Sequence, residues 1–158
     1  MTKKNLFLFL FFVFLLTIFN RADTRLYAQE EQSNFPPQAI INASYAGDID
    51  TIREIIAAGV DKNVRNAFGD TALHVAVFQS NLAVVKLLLD SGFDPNARVT
   101  KNGNTPLHNA VAANNINAAR LLLQYGANRN IRALNGLTPL EKARKEEKQE
   151  LIMLLYRS

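Results

Sequence analysis

Cysteine is missing from the 158-residue chain, and its absence excludes a disulfide framework, a thiol nucleophile and a lipid-bearing cysteine at once. Histidine is almost missing. The two that occur, His74 and His108, stand 34 positions apart with no cysteine to complete a ligand set, so a zinc site is not expected. The seven glycines are dispersed; a phosphate-cradling loop needs several together ahead of a helix, with a lysine following, and the chain has no such cluster. Long apolar runs are equally scarce. The single one, Leu6 to Phe19, holds six of the ten phenylalanines and falls short of the roughly 20 residues that cross a bilayer.

That run does have a reading. Lys3 and Lys4 precede it and Leu26-Tyr27-Ala28 follows it, the positive-then-apolar order with a small residue at the cut that marks a secretory signal peptide. Residues 1–28 are therefore expected to be a signal peptide, residues 29–35 a polar linker and residues 36–158 the folded domain. The expected location is periplasmic or secreted; the alternative is an uncleaved run that leaves the chain membrane-anchored.

Charge is scarce once the leader is set aside. The formal charge of +4 includes Lys3, Lys4, Arg21 and Arg25, offset only by Asp23, and removing them leaves 14 basic against 13 acidic residues. A near-neutral domain lacks the concentrated basic patch that nucleic acid requires. Without disulfides it must be held by packing alone.

What the chain has in abundance is repetition. Gly69-Asp70-Thr71-Ala72-Leu73-His74 returns as Gly103-Asn104-Thr105-Pro106-Leu107-His108 and again as Gly136-Leu137-Thr138-Pro139-Leu140-Glu141, with the threonines 34 and 33 apart. Gly59, Gly92 and Gly126 keep the same beat. A period near 33 with Thr-Pro-Leu-His at its head is the ankyrin signature, and from about Phe35 onward the chain resembles ankyrin-repeat proteins.

The resemblance implies an all-α solenoid of helix-turn-helix units joined by short β-hairpin-like loops, with repeats at about 36–65, 66–99, 100–132 and 133–158. Apolar spacing places a helix over Gln38 to Ala46, a second over Ile49 to Ala58, and later ones over Leu82 to Asp90 and Ile116 to Tyr125. Thr71, Thr105 and Thr138 open helices as caps, while Gly92 and Gly126 close them. The first repeat has lost the Thr-Pro-Leu-His text, and the last carries Glu141 in place of histidine under a polar run, as a terminal cap would. Within that run Glu141–Lys145 and Lys142–Glu146 are spaced for i,i+4 pairs. The hairpin between Ala97 and Asn102 carries one extra residue.

In this family the histidine bonds the threonine and the backbone of the adjoining repeat, so His74 and His108 are expected to be structural. No Ser–His–Asp set can then be assembled. No catalytic residue, cofactor or metal is expected; the remaining alternative is a metal-dependent enzyme that uses His74 and His108. Asp61, Asp94 and Asn128 resemble paired carboxylates only superficially; they are expected to form turns.

The remaining function is the surface such arrays offer to another protein. Carrying the family's variable positions over gives Arg65, Ala67, Phe68 and Asp70 at the first tip, Arg98, Lys101, Asn102 and Asn104 at the second, and Arg132, Leu134, Asn135 and Leu137 at the third. On the inner helices it gives Tyr45, Phe78, Gln79, Ala112, Ala113 and Lys145. Tyr45, Phe68 and Phe78 beside Arg65, Arg98 and Arg132 have the composition of binding hot spots. The expectation is a monomeric, non-enzymatic binding module whose partner is a protein, with no nucleic acid and, after cleavage, no membrane.

Overall fold

The computed structural model describes residues 35–157. The expected signal peptide, residues 1–28, and all of the expected linker except Phe35 lie outside the described residues. Among the described residues there are eight helices in four pairs: α1 (Ala39–Ala46) with α2 (Ile49–Ala57), α3 (Ala72–Phe78) with α4 (Leu82–Asp90), α5 (Pro106–Ala112) with α6 (Ile116–Gln124), and α7 (Pro139–Lys145) with α8 (Gln149–Arg157). Among the described residues there is no strand, and no helix is long and apolar enough to cross a membrane. The expected bounds differ only at the ends. Gln38, Ala58 and Tyr125 sit in cap positions outside their helices.

Periodic leucines explain the pairing. Leu73, Leu88, Leu107, Leu122, Leu151 and Leu155 are fully buried along one continuous core, each stabilising the fold by roughly 2 kcal/mol on area alone. Alanines at a fixed repeat position, Ala43, Ala76, Ala110 and Ala143, let the first helices approach closely, and all four are buried. The first helices α1, α3, α5 and α7 accordingly make more extensive contact with one another than do α2, α4, α6 and α8, so hollows open between the second helices.

The second helices start on short polar side chains. Asp48, Asn81 and Asn115 accept from the N–H of Thr51, Val84 and Ala118 at 3.1, 3.2 and 2.9 Å, satisfying donors that have no partner within the helix. In the fourth repeat Lys148 holds the same position and acts differently. Its ammonium donates to the Val111 carbonyl and, at 3.0 Å, to the Ala112 carbonyl at the end of α5, and it pairs with Glu146 at 2.7 Å. A side chain that cannot cap its own helix thus ties the last repeat to the preceding one.

The strongest inter-repeat device is the buried imidazole. His74 Nδ1 lies 2.8 Å from Thr71 Oγ1 and accepts the Thr71 N–H at 3.3 Å, while Nε2 lies 3.2 Å from the Asn104 carbonyl in the next repeat. His108 repeats the arrangement, with Nδ1 at 2.9 Å from Thr105 Oγ1 and 3.2 Å from its nitrogen, and Nε2 at 3.0 Å from the Leu137 carbonyl. A backbone N–H can only donate and a carbonyl can only accept, so each ring is neutral with its proton on Nε2. Thr71 and Thr105 open α3 and α5 as predicted, and the structural role expected of both histidines is what the geometry shows.

Glu141 shows why the last repeat departs from the pattern. Its carboxylate accepts the Thr138 N–H at 2.8 Å, as Nδ1 does elsewhere, and receives Arg132 at 2.7 Å. Those bonds hold its carboxyl below the ordinary glutamate range. A carboxylate has no proton to offer an adjoining carbonyl, and among the described residues no further repeat stacks on α7. Lys142–Glu146 forms as expected at 2.7 Å; Glu141–Lys145 does not, because Glu141 is turned toward Arg132 and Thr138.

Burial holds the His74 imidazole at about 4, well below its usual 6.5, and lowers His108 for the same reason. The native state therefore refuses a proton that the unfolded chain accepts. Stability is full above pH 6.5 and falls as pH drops toward 4, by up to about 3 kcal/mol for His74. Urea midpoints measured from pH 7 to 4.5 should decline through this window, and the decline between 6.5 and 5 should flatten in His74→Gln. An unchanged slope in that variant would contradict the assignment.

Candidate functional site

The hairpin tips are short turns closed by their own backbone. Asn66 and Ala133 donate to the Asp70 and Leu137 carbonyls, both at 3.0 Å, and Val99 donates to Asn104 at 2.8 Å. The first and third closures span four residues and the second spans five, which places the extra residue where it was expected. Asp61, Asp94 and Asn128 accept from the N–H two residues on at 2.9, 2.8 and 2.9 Å, so they are turn formers. Successive tips stack tightly. Gly69 has φ +87, and a Cβ there would stand 2.7 Å from the Thr100 nitrogen, so the position admits no side chain without displacing the next tip.

Three arginines secure this edge. Arg65 donates to its own tip at Gly69 (2.9 Å) and to the Arg98 carbonyl of the next repeat (2.6 Å). Arg98 donates to the Arg132 carbonyl at 2.8 Å. Arg132 closes on Gly136 at 2.6 Å and Glu141 at 2.7 Å. In the first repeat Gln38 takes this task, donating to the Arg65 carbonyl at 2.8 Å. Each of these arginines therefore has a scaffold function beside any contact it makes with a partner.

Of the predicted binding residues, Tyr45, Phe68, Asp70, Phe78, Gln79, Asn102 and Asn104 line one groove of about 600 Å³, running from α1 across the first two tips to α5. Tyr45, Phe68 and Phe78 are 68, 65 and 60% exposed, far from the burial their apolar surface would favour. The Lys101 ammonium sits 5.1 Å from the Phe68 ring centre, a cation–π contact at the rim. Leu134 is equally exposed but lies on the third tip outside this groove, with its N–H donating to Asn102 at 2.8 Å. Leu137 is half-buried, also outside the groove, and its carbonyl receives His108.

Sequence reading missed Asn42, Val75 and Asn109, which also line the groove. The signal was available: they recur 33 and 34 positions apart at one first-helix position, although Val75 also packs partly against the core. The amides of Asn42, Gln79, Asn104 and Asn109 make no hydrogen bond among the described residues, and the Asp70 carboxylate makes no ion pair. Among the same residues, no three His, Cys, Asp or Glu side chains converge as a metal site would need.

A stack of helical pairs that rests on Thr–His bridges and presents a groove of exposed rings and uncommitted amides is a repeat-built recognition scaffold. The family described as "Ankyrin repeats (3 copies)" matches residues 11–99, 39–133 and 96–158, and the chain belongs to it. Similarity extends to a mitochondrial disaggregase of Bos taurus, 38% identical over 58 residues (37% of this chain, 9% of the relative). It extends also to an L-asparaginase of Dirofilaria immitis, 47% over 53 residues (34% and 9%), and to cyclin-dependent kinase 4 inhibitor B of Bos taurus, 39% over 57 residues (36% and 43%). The chain spans less than half the length of each of these relatives. Their names share no activity. The ankyrin repeat mediates protein–protein contact and is in general a non-catalytic interaction fold.

The division between edge and groove is measurable. Arg98→Met removes one charge-assisted inter-repeat bond and should lower stability by about 1 kcal/mol, whereas Phe68→Ala with Phe78→Ala, both exposed, should change it by less than about 0.5 kcal/mol each. Urea unfolding of the two variants checks this; comparable losses would mean that the rings hold the fold.

Proposed function

We propose that the chain is exported and binds a protein partner through the groove bounded by Tyr45, Phe68 and Phe78, acting as a monomer and without catalysis. The observation that carries this reading is the exposure of three aromatic rings on a scaffold whose buried side-chain polar atoms all have partners among the described residues. Exposed rings gathered along one concavity are the composition of binding hot spots. Because the backbone of each tip is bonded to its neighbour, the rings are held in place before a partner arrives, and little ordering entropy opposes docking.

Asp70 and the amides of Asn42, Gln79, Asn104 and Asn109 give the groove directional contacts to a partner's backbone, and Lys101 borders it over the Phe68 ring. Export rests on the leader at residues 1–28. A membrane-anchored scaffold, with Leu6 to Phe19 retained, is the second reading, and the same apolar run favours it if the cut near Ala28 is not made.

Mass spectrometry of the protein recovered from its source should find an N-terminus near Gln29; an intact Met1 supports the anchored form. Capture from a periplasmic extract, with the Phe68→Ala, Phe78→Ala double variant as control, should recover a partner only with the native groove. Equal recovery by both would remove the groove as the site.

A further inference from the structure

The second helices carry their own periodic surface, opposite in chemistry to the groove. Ile49, Leu82 and Ile116 recur 33 and 34 positions apart, and so do Arg53, Lys86 and Arg120. The first turns of α2 and α4 bring Ile49 and Leu82 to a hollow of about 650 Å³, floored also by Leu87 and Leu121 and crossed by Arg53, Lys86 and Arg120. Leu82 remains 41% exposed there. The hollow follows from the looser contact between second helices, so it is a property of the stack.

Its charge is unbalanced. Lys86 pairs with Asp90 at 2.7 Å, and the Tyr125 hydroxyl also donates to Asp90, so that carboxylate is committed. The guanidinium groups of Arg53 and Arg120 make no hydrogen bond or ion pair among the described residues. Asp50 and Glu54 flank Arg53 on α2, and Glu150 lines the adjoining hollow with Arg120, yet none closes to an ion pair with either arginine. A chain with as few net charges as this one keeps two unpaired guanidiniums at the same repeat position, on either side of an apolar floor.

We infer that this face is a second docking surface, and that its occupant is an acidic, amphipathic segment of a protein, with apolar side chains in the hollow and carboxylates on Arg53 and Arg120. Arginine offers a planar fork of donors matched to a carboxylate. Packed helices lie about 8–10 Å apart, so Arg53 on α2 and Arg120 on α6, two helices apart, stand roughly 16–20 Å from each other, and carboxylates at i and i+11 on one face of a helix, which rise about 16.5 Å, reach both when the helix is laid along the stack. The recessed floor favours side chains over a flat bilayer surface. With the groove occupied independently, the chain would bridge two partners.

The probe is a fluorescein-labelled peptide of about 18 residues with leucines on one face and glutamates at i and i+11, titrated into the full chain by anisotropy. The same peptide with lysine for glutamate, and vesicles containing phosphatidylserine, complete the set. The glutamate peptide should bind saturably, and Arg53→Glu with Arg120→Glu should weaken it by about tenfold or more. The milder Arg53→Gln, Arg120→Gln pair should weaken it less, and Phe68→Ala with Phe78→Ala should leave it unchanged, which separates this face from the groove. Absence of saturable binding, equal binding of the lysine peptide, insensitivity to the arginine variants, or binding to the vesicles alone would overturn the inference.

Discussion

The fold depends on a neutral imidazole held between two backbones. In each of the two inner repeats a histidine accepts from the threonine that starts its own helix and donates to a carbonyl of the next hairpin. One ring therefore fixes a helix start, a tip and the offset between repeats. That arrangement is possible only while the ring carries a single proton on Nε2, which burial enforces by disfavouring the charged form. The arginine bonds along the tips and the Lys148 bonds at the end of α5 act on the same offset from the exposed sides.

Fixing the offset determines what the surface can do. Close approach of the first helices over their alanines gathers Tyr45, Phe68 and Phe78 along one concavity, and looser packing of the second helices leaves the hollow between α2, α4 and α6. The two faces differ in composition. One offers rings, amides and a single carboxylate; the other offers aliphatic side chains and guanidinium groups. The exposed rings of the one and the unpaired guanidinium groups of the other make no hydrogen bond or ion pair that holds the helices together, so these side chains are to spare for recognition.

Much of this was legible in the residues. The 33-to-34 beat of threonine, glycine and leucine located the four helices it bounded to within about a residue, as the ends at Gln38, Ala58 and Tyr125 show, and the extra residue before Gly103 marked the longer tip. Other features were not legible. Arginines at 65, 98 and 132 have the composition of a binding patch, but whether a guanidinium faces solvent or a neighbouring carbonyl depends on the distance between repeats, which no single repeat encodes. Glu141 was spaced to meet Lys145, and the closer Thr138 N–H and Arg132 took it instead. Asn42 and Asn109 recur in step with the repeat, but a polar residue at a repeat position does not say which groove it lines, and Val75 reads as core, against which it partly packs.

The central claim is most directly tested by ¹⁵N-detected nuclear magnetic resonance of the two imidazoles across pH. The account predicts that both rings are Nε2-protonated at neutral pH, with a coupling or exchange contact to Asn104 and Leu137, and that His74 stays neutral until pH nears 4. An Nδ1-protonated ring, or titration of both at about 6.5 as for a free side chain, would contradict it.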